Sequence, residues 1–86
     1  MKVRIPTPLR SYTAQAAVVE ASGATVGEVF ADLDAQFPGL RFRVVDEQGH
    51  IRKHMKVWIN DEAVRDLATP VAASDEVTIM QALSGG

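Results

Sequence analysis

The stretch Asp75-Glu-Val-Thr-Ile-Met-Gln-Ala-Leu-Ser-Gly-Gly86 divides into two unlike parts. In the first, Val77 and Ile79 alternate with Glu76, Thr78 and Met80, the period-two pattern of a strand with one buried face. After about Met80 the alternation stops, and the chain closes on a pair of glycines. The expected organisation is one folded domain over residues 1–80 and a flexible tail over 81–86.

Upstream, Met55, Val57 and Ile59 alternate with Lys56, Trp58 and Asn60, which predicts another strand, and Asn60-Asp61-Glu62 reads as the turn that follows it. Residues 62–65 fit a short edge strand, and Leu67 to Val71 a loop or single turn. At the start of the chain, Val3 and Ile5 alternate with Lys2 and Arg4, giving a strand over 2–6. Pro6 and Pro8 remove two backbone donors, which predicts a loop to about Thr13. Ala17, Val19 and Ala21 then form a second alternating run, closed by Ser22-Gly23, so the first two strands are expected to pair as a hairpin.

Between these strand regions lies one clear helix. Thr25-Val-Gly-Glu28 has the spacing of a capping box, in which a hydroxyl and a carboxylate satisfy orphan N–H groups at a helix start. From Val26 onward, Val29, Phe30, Leu33 and Phe37 make one apolar stripe, with Glu28, Asp32 and Asp34 off it. Pro38-Gly39 ends the helix. Leu40 to Asp46 reads either as a short second helix or, through Arg41-Phe-Arg-Val, as an alternating strand; helix is preferred. The sum is an α+β domain with a mixed sheet of four to five strands and one main helix on one face.

With 86 residues the chain can build one core but has little material left to enclose a deep substrate cavity. A net charge of −2 lacks the basic excess that nucleic-acid binding demands. Arg4, Pro6, Pro8 and Arg10 interrupt the opening segment, so it reads as neither a signal peptide nor a membrane span, and a cytoplasmic address is expected. No cysteine is present, which excludes disulfides, thiolate metal sites and a thiol nucleophile.

The order strand, strand, helix, strand, strand with a terminal Gly-Gly resembles the ubiquitin-like β-grasp sulfur carriers, among them the thiamine-pathway carrier and the small subunit of molybdopterin synthase. Val57-Trp-Ile-Asn-Asp-Glu62 and the quoted stretch 75–86 carry most of the likeness. Ile5-Pro-Thr-Pro-Leu-Arg10, followed by Thr13, is more similar to carriers that feed sulfur to cysteine synthesis than to molybdopterin synthase small subunits. The resemblance implies a β-grasp topology, with the first and last strands parallel at the sheet centre. It also implies that the chain is not itself an enzyme and binds no cofactor. The Gly86 carboxylate would be adenylated by an ATP-dependent adenylyltransferase and converted to a thiocarboxylate. The sulfur would pass to a pyridoxal-phosphate cysteine synthase or, alternatively, to molybdopterin synthase, thiamine or a secondary metabolite, and a metalloprotease would release the product in the cysteine case. A different class, a ubiquitin-like modifier joined to lysines, would use the same activated carboxylate without sulfur.

Elementary chemistry supports glycine at this position. A free carboxylate is a poor acyl donor and must first be activated. Glycines lack Cβ, so Gly85 and Gly86, with Leu83 and Ser84 behind them, can thread a narrow channel up to bound ATP. Extended, residues 81–86 reach roughly 20 Å at about 3.3 Å per residue, enough to enter a partner's active site. With glycine at about 7% of residues, a chance Gly-Gly at the last two positions arises in roughly one chain in 200, so the pair carries weight.

His50 and His54 have metal-ligand spacing only if helical, and they lack a third partner, so no metal is expected. Asp61-Glu62 and Asp75-Glu76 read as solvated acids at turns, and Arg41, Arg43, Arg52, Lys53 and Lys56 as a wet face without a role. Trp58 and Met80 must project from the sheet face opposite Val57, Ile59, Val77 and Ile79. They form either a patch for docking the activating enzyme or a surface covered by Leu9 or Tyr12 from the long loop.

Overall fold

Five strands form one mixed sheet in the computed structural model, which describes residues 1–82. They are β1 (Lys2–Arg4), β2 (Val18–Glu20), β3 (Met55–Ile59), β4 (Glu62–Val64) and β5 (Glu76–Gln81), in spatial order β2-β1-β5-β3-β4. The last strand in sequence therefore sits at the centre. β5 runs parallel to β1, with Val3 opposite Val77, and antiparallel to β3, with Val57 opposite Ile79 and Met55 opposite Gln81. β1 and β2 make the antiparallel hairpin expected from their alternation, in register Val3 to Val19. β4 closes the other edge against β3. The parallel pair at the centre and the flanking antiparallel strands are the β-grasp arrangement.

The main helix α1 (Val26–Gln36) lies where its stripe predicted, with Val26, Val29, Phe30 and Leu33 fully buried. Its capping box is formed with a displacement of one residue. The Glu28 N–H donates to Thr25 Oγ1 at 3.2 Å, whereas the Glu28 carboxylate accepts from the Ala24 N–H at 3.0 Å instead of from Thr25 itself. Gly39, at φ +94°, begins the short helix α2 (Leu40–Val44), so the helical reading of this segment holds. Asp34 joins the two helices by accepting from the N–H groups of Gly39 and Arg41 at 3.1 and 3.3 Å. A side chain at Gly39 would be strained by the backbone and would press on Tyr12, whose Cε1 lies 3.2 Å from the position of a Cβ.

Two local expectations need correction. The segment after β1 is no loop: Thr7–Thr13 forms a 3-10 helix, with Pro8 in its first turn, where a missing N–H costs nothing. Leu9 and Thr13 are buried by it, and the Thr13 hydroxyl donates to Ala16 O at 2.9 Å. β1 itself stops at Arg4, because Pro6 ends the ladder after the Ile5 N–H has bonded Ala17 O at 2.8 Å. At the other end β5 continues through Gln81, one residue past the visible alternation.

The core lies between the sheet and the helices. Val3, Val57, Val77 and Ile79 face α1 and α2 and are closed to solvent, together with Leu40, Val44 and Val45. Asn60 fixes the register of the central strand at its far end. In left-handed backbone at φ 53°, a region asparagine tolerates, it donates its N–H to Glu76 O at 2.8 Å and accepts from the Glu76 N–H at 3.0 Å through its side chain. Its amide also donates to Asp75 Oδ1 at 3.0 Å, while Asp75 Oδ2 accepts from the Ala72 N–H at 2.8 Å.

These contacts, the Ala72 N–H first and the Asn60 amide second, hold the Asp75 carboxyl below its ordinary value of 3.8. A carboxyl lowered on folding contributes stability that is complete above the unfolded value and disappears as pH falls through the lower folded value. Asp75→Asn can satisfy only one of the two donors, so its thermal midpoint should lie below wild type at neutral pH. The gap should close as the pH drops below 3.8. A gap independent of pH would show that the ionised form is not what these donors hold.

Candidate functional site

The chain leaves the sheet from its centre, not from an edge. Gln81, the last residue of β5, is paired with Met55 on β3, and the Ala82 N–H donates to His54 O at 2.8 Å. The base of the tail is thus held by backbone hydrogen bonds up to residue 82. Leu83, Ser84, Gly85 and Gly86, the residues that the sequence singles out for threading and activation, lie outside the described residues.

Trp58 and Met80 share the sheet face opposite the helices. Their register partners are Thr78 and Lys56, so the two side chains sit diagonally across β3 and β5. Met80 is 49% exposed. Trp58 is half-buried, and its Nε1 is buried without a hydrogen-bond partner among the described residues. Neither residue of the preceding helical turn covers them: Leu9 is buried in the core on the helix side, and Tyr12 lies against Gly39.

The remaining candidates separate. Among the described residues no group of three His, Cys, Asp or Glu is placed to hold a metal. His50 lies in the turn after α2, and His54 directly before β3. Asp75 is used in the turn described above, Glu76 is ion-paired to Arg4, and Asp61 and Glu62 are exposed at the β3–β4 turn. No helix among the described residues is long and apolar enough to cross a membrane.

Sequence reasoning missed one grouping. Arg43 and Phe42 of α2, Arg52 and His54 before β3, and Gln81 at the end of β5 line a cleft of about 360 Å³ at the base of the tail. No spacing signal could have found it, because its members come from three separate segments.

The model of the ThiS family matches residues 3–86, nearly the whole chain. The chain belongs to the ThiS family. Within it, the sulfur carrier protein CysO of Mycobacterium tuberculosis is 42% identical over 89 residues, covering 98% of this chain and 96% of that protein. The crystal structure of that CysO superposes with a TM-score of 0.90 at 39% identity, covering 95% of this chain and 98% of the other. The BexX/CysO complex of Amycolatopsis orientalis contains a similar chain, with a TM-score of 0.91 at 38% identity over 99% and 98% of the two chains. The small archaeal modifier protein SAMP1 of Haloferax volcanii shares the fold with a TM-score of 0.78 at 31% identity, covering 100% and 98%. These matches establish the ubiquitin-like β-grasp and the sulfur-carrier likeness.

The two faces of β5 make opposite predictions for adjacent residues. Met80→Ser should change unfolding free energy by no more than about 0.5 kcal/mol, as for an exposed side chain. Ile79→Ala should cost about 2–5 kcal/mol, as for a buried one. Urea denaturation of both variants checks this, and equal losses would contradict the assignment of the faces.

Proposed function

We propose that the protein carries sulfur as a thiocarboxylate on Gly86 and that its side chains perform no catalysis. The observation that supports this reading most is the match to the ThiS family over residues 3–86, which includes the tail, on a fold whose central strand leads directly into that tail. A carboxylate oxygen of Gly86 attacks the α-phosphorus of ATP in an adenylyltransferase, and pyrophosphate leaves. Hydrosulfide then attacks the acyl carbon, and AMP leaves with the oxygen it gained. The product is a thioacid, which ionises at neutral pH to the thiocarboxylate. ATP belongs to the activating partner, and the chain is its co-substrate. The free Gly86 carboxylate can be encoded last or exposed by cleavage; the chemistry is the same.

Delivery to cysteine synthesis is the preferred destination, supported by the likeness to CysO over almost the full length. The acceptor would be a pyridoxal-phosphate cysteine synthase acting on an activated serine, with a metalloprotease releasing the product. The Amycolatopsis orientalis structure, in which a similar CysO chain is in complex with BexX, is compatible with a second customer, one of the other acceptors named above. The archaeal modifier SAMP1 favours a further reading, attachment of Gly86 to lysines of other proteins. All three share the activated acyl group and differ in the nucleophile that takes it. On this reading the protein works in the cytoplasm, where ATP and the acceptor enzymes are found.

Intact-mass spectrometry separates these outcomes. After incubation with an activating enzyme, ATP and sulfide, the chain should gain the mass difference between one sulfur and one oxygen, located at Gly86. A chain that is adenylated but never gains sulfur, and instead appears on lysines in cell extract, would replace the carrier reading with the modifier one.

A further inference from the structure

Among the described residues, no acidic side chain lines the cleft at the base of the tail. Arg52 is fixed in place: its Nε–H donates to Phe42 O at 2.7 Å, and its guanidinium carbon stands 4.5 Å from the centroid of the Phe42 ring. This leaves its terminal nitrogens free of intramolecular hydrogen bonds among the described residues. Phe42 remains 52% exposed, a large apolar side chain held rigid by a stacked cation. Arg43 stands exposed beside it. The ion pairs among the described residues are Met1 with Glu20 and Arg4 with Glu76, both toward the start of β5, away from the end that borders this cleft. Asp46 and Glu47, the acids of the loop after α2, do not line it. Asp46 Oδ1 accepts from the N–H groups of His50 and Gln48, each at 2.9 Å; these bonds, with a weaker pull from the charge of Arg52, hold its carboxyl low, but it makes no ion pair with Arg52.

The charge distribution along the sheet points the same way. Where β3 begins and β5 ends, the chain carries Arg52, Lys53, His54 and Lys56, with Arg43 adjoining. At the opposite end stand Glu20, Asp61, Glu62, Asp75 and Glu76. A chain of net charge −2 therefore presents a basic end, and the tail issues from that end. In the field of an acidic surface such a molecule turns tail first.

The reach of the tail determines what the arginines can touch. Five residues beyond Gln81 span at most about 17 Å when extended. With Gly86 at a nucleotide inside an enzyme, Arg43 and Arg52 remain at the mouth of the channel, away from the phosphates. Their counter-charge must be protein. The geometry points to this cleft as the docking contact for the enzyme that activates Gly86, which places Asp or Glu side chains on Arg43 and Arg52 and an apolar side chain against Phe42. This assignment rests on the carrier reading above, and it adds a contact on the helix side, distinct from the face that bears Trp58 and Met80.

The test is ATP–pyrophosphate exchange catalysed by the activating enzyme of the same organism, with the full-length carrier as variable substrate. Arg43→Glu, and Arg43→Glu combined with Arg52→Glu, should raise KM for the carrier by about tenfold or more with kcat within about twofold, and should flatten the increase of KM with salt. Lys2→Glu, the same charge change at the opposite end, should leave KM within about twofold. Arg43 makes no side-chain hydrogen bond or ion pair among the described residues, so its single variant reads docking even if loss of Arg52 loosens Phe42. Wild-type exchange with KM unchanged in the arginine variants, or a fall confined to kcat, would overturn the docking assignment and leave the carrier reading intact. Absence of exchange with the wild-type chain would overturn both.

Discussion

Hydrogen bonding of β5 on both sides is the constraint on which the rest of the structure depends. A terminal strand at a sheet edge could fray, and its last residues would move with it. Here β1 holds one side and β3 the other, Val77 and Ile79 are sealed under the helices, and Asn60 fixes the starting register. The backbone is therefore determined as far as Ala82, whose N–H is bonded to His54. Whatever receives the glycines meets a chain whose base is fixed at Ala82, which lowers the entropy lost on binding.

This arrangement also explains why a small domain suffices. On the proposed reading, the chemistry at Gly86 would need no pocket, no shifted pKa and no metal from the carrier, because an activating enzyme would supply ATP and the reacting environment. What the carrier supplies is a rigid body for recognition and a chain end without side chains. The two functions are separated along the chain, so recognition residues such as Arg43 and Arg52 can change without touching the acyl group. Met80 and Trp58 offer an apolar surface on one side of the tail and the Phe42 cleft a charged one on the other. A partner engaging both would grip the base of the tail from either face of the sheet.

Legibility in the sequence followed the range of the interaction. The capping box at Thr25, the stripe of α1 and the alternation of β3 are local, and each was readable from a few residues. The Thr7–Thr13 helix was not, because Pro6 and Pro8 signal only that a strand ends; it is the burial of Leu9 and Thr13 that makes the segment helical. Strand order was equally hidden. Alternation identifies strands but not neighbours, and the central place of β5 came from resemblance to a family and not from the pattern of Val77 and Ile79. The expectation for the tail rests on residue type alone and falls on residues outside those described, whereas the arginine cleft is assembled from α2, the approach to β3 and the end of β5. Arg43 is exposed, as a wet face requires; that it adjoins Arg52 and Phe42 is visible only once those segments are folded together.

The account is tested most directly by moving the terminal carboxylate outward by a single residue that bears a side chain. The chain is extended by one alanine after Gly86, in a form that cannot be trimmed, and its mass is recorded after incubation with the activating enzyme, ATP and sulfide. The account predicts an unchanged thermal midpoint and no sulfur gained. Full loading of the extended chain would contradict it, since the bare glycine end would then not be the group on which the chemistry depends.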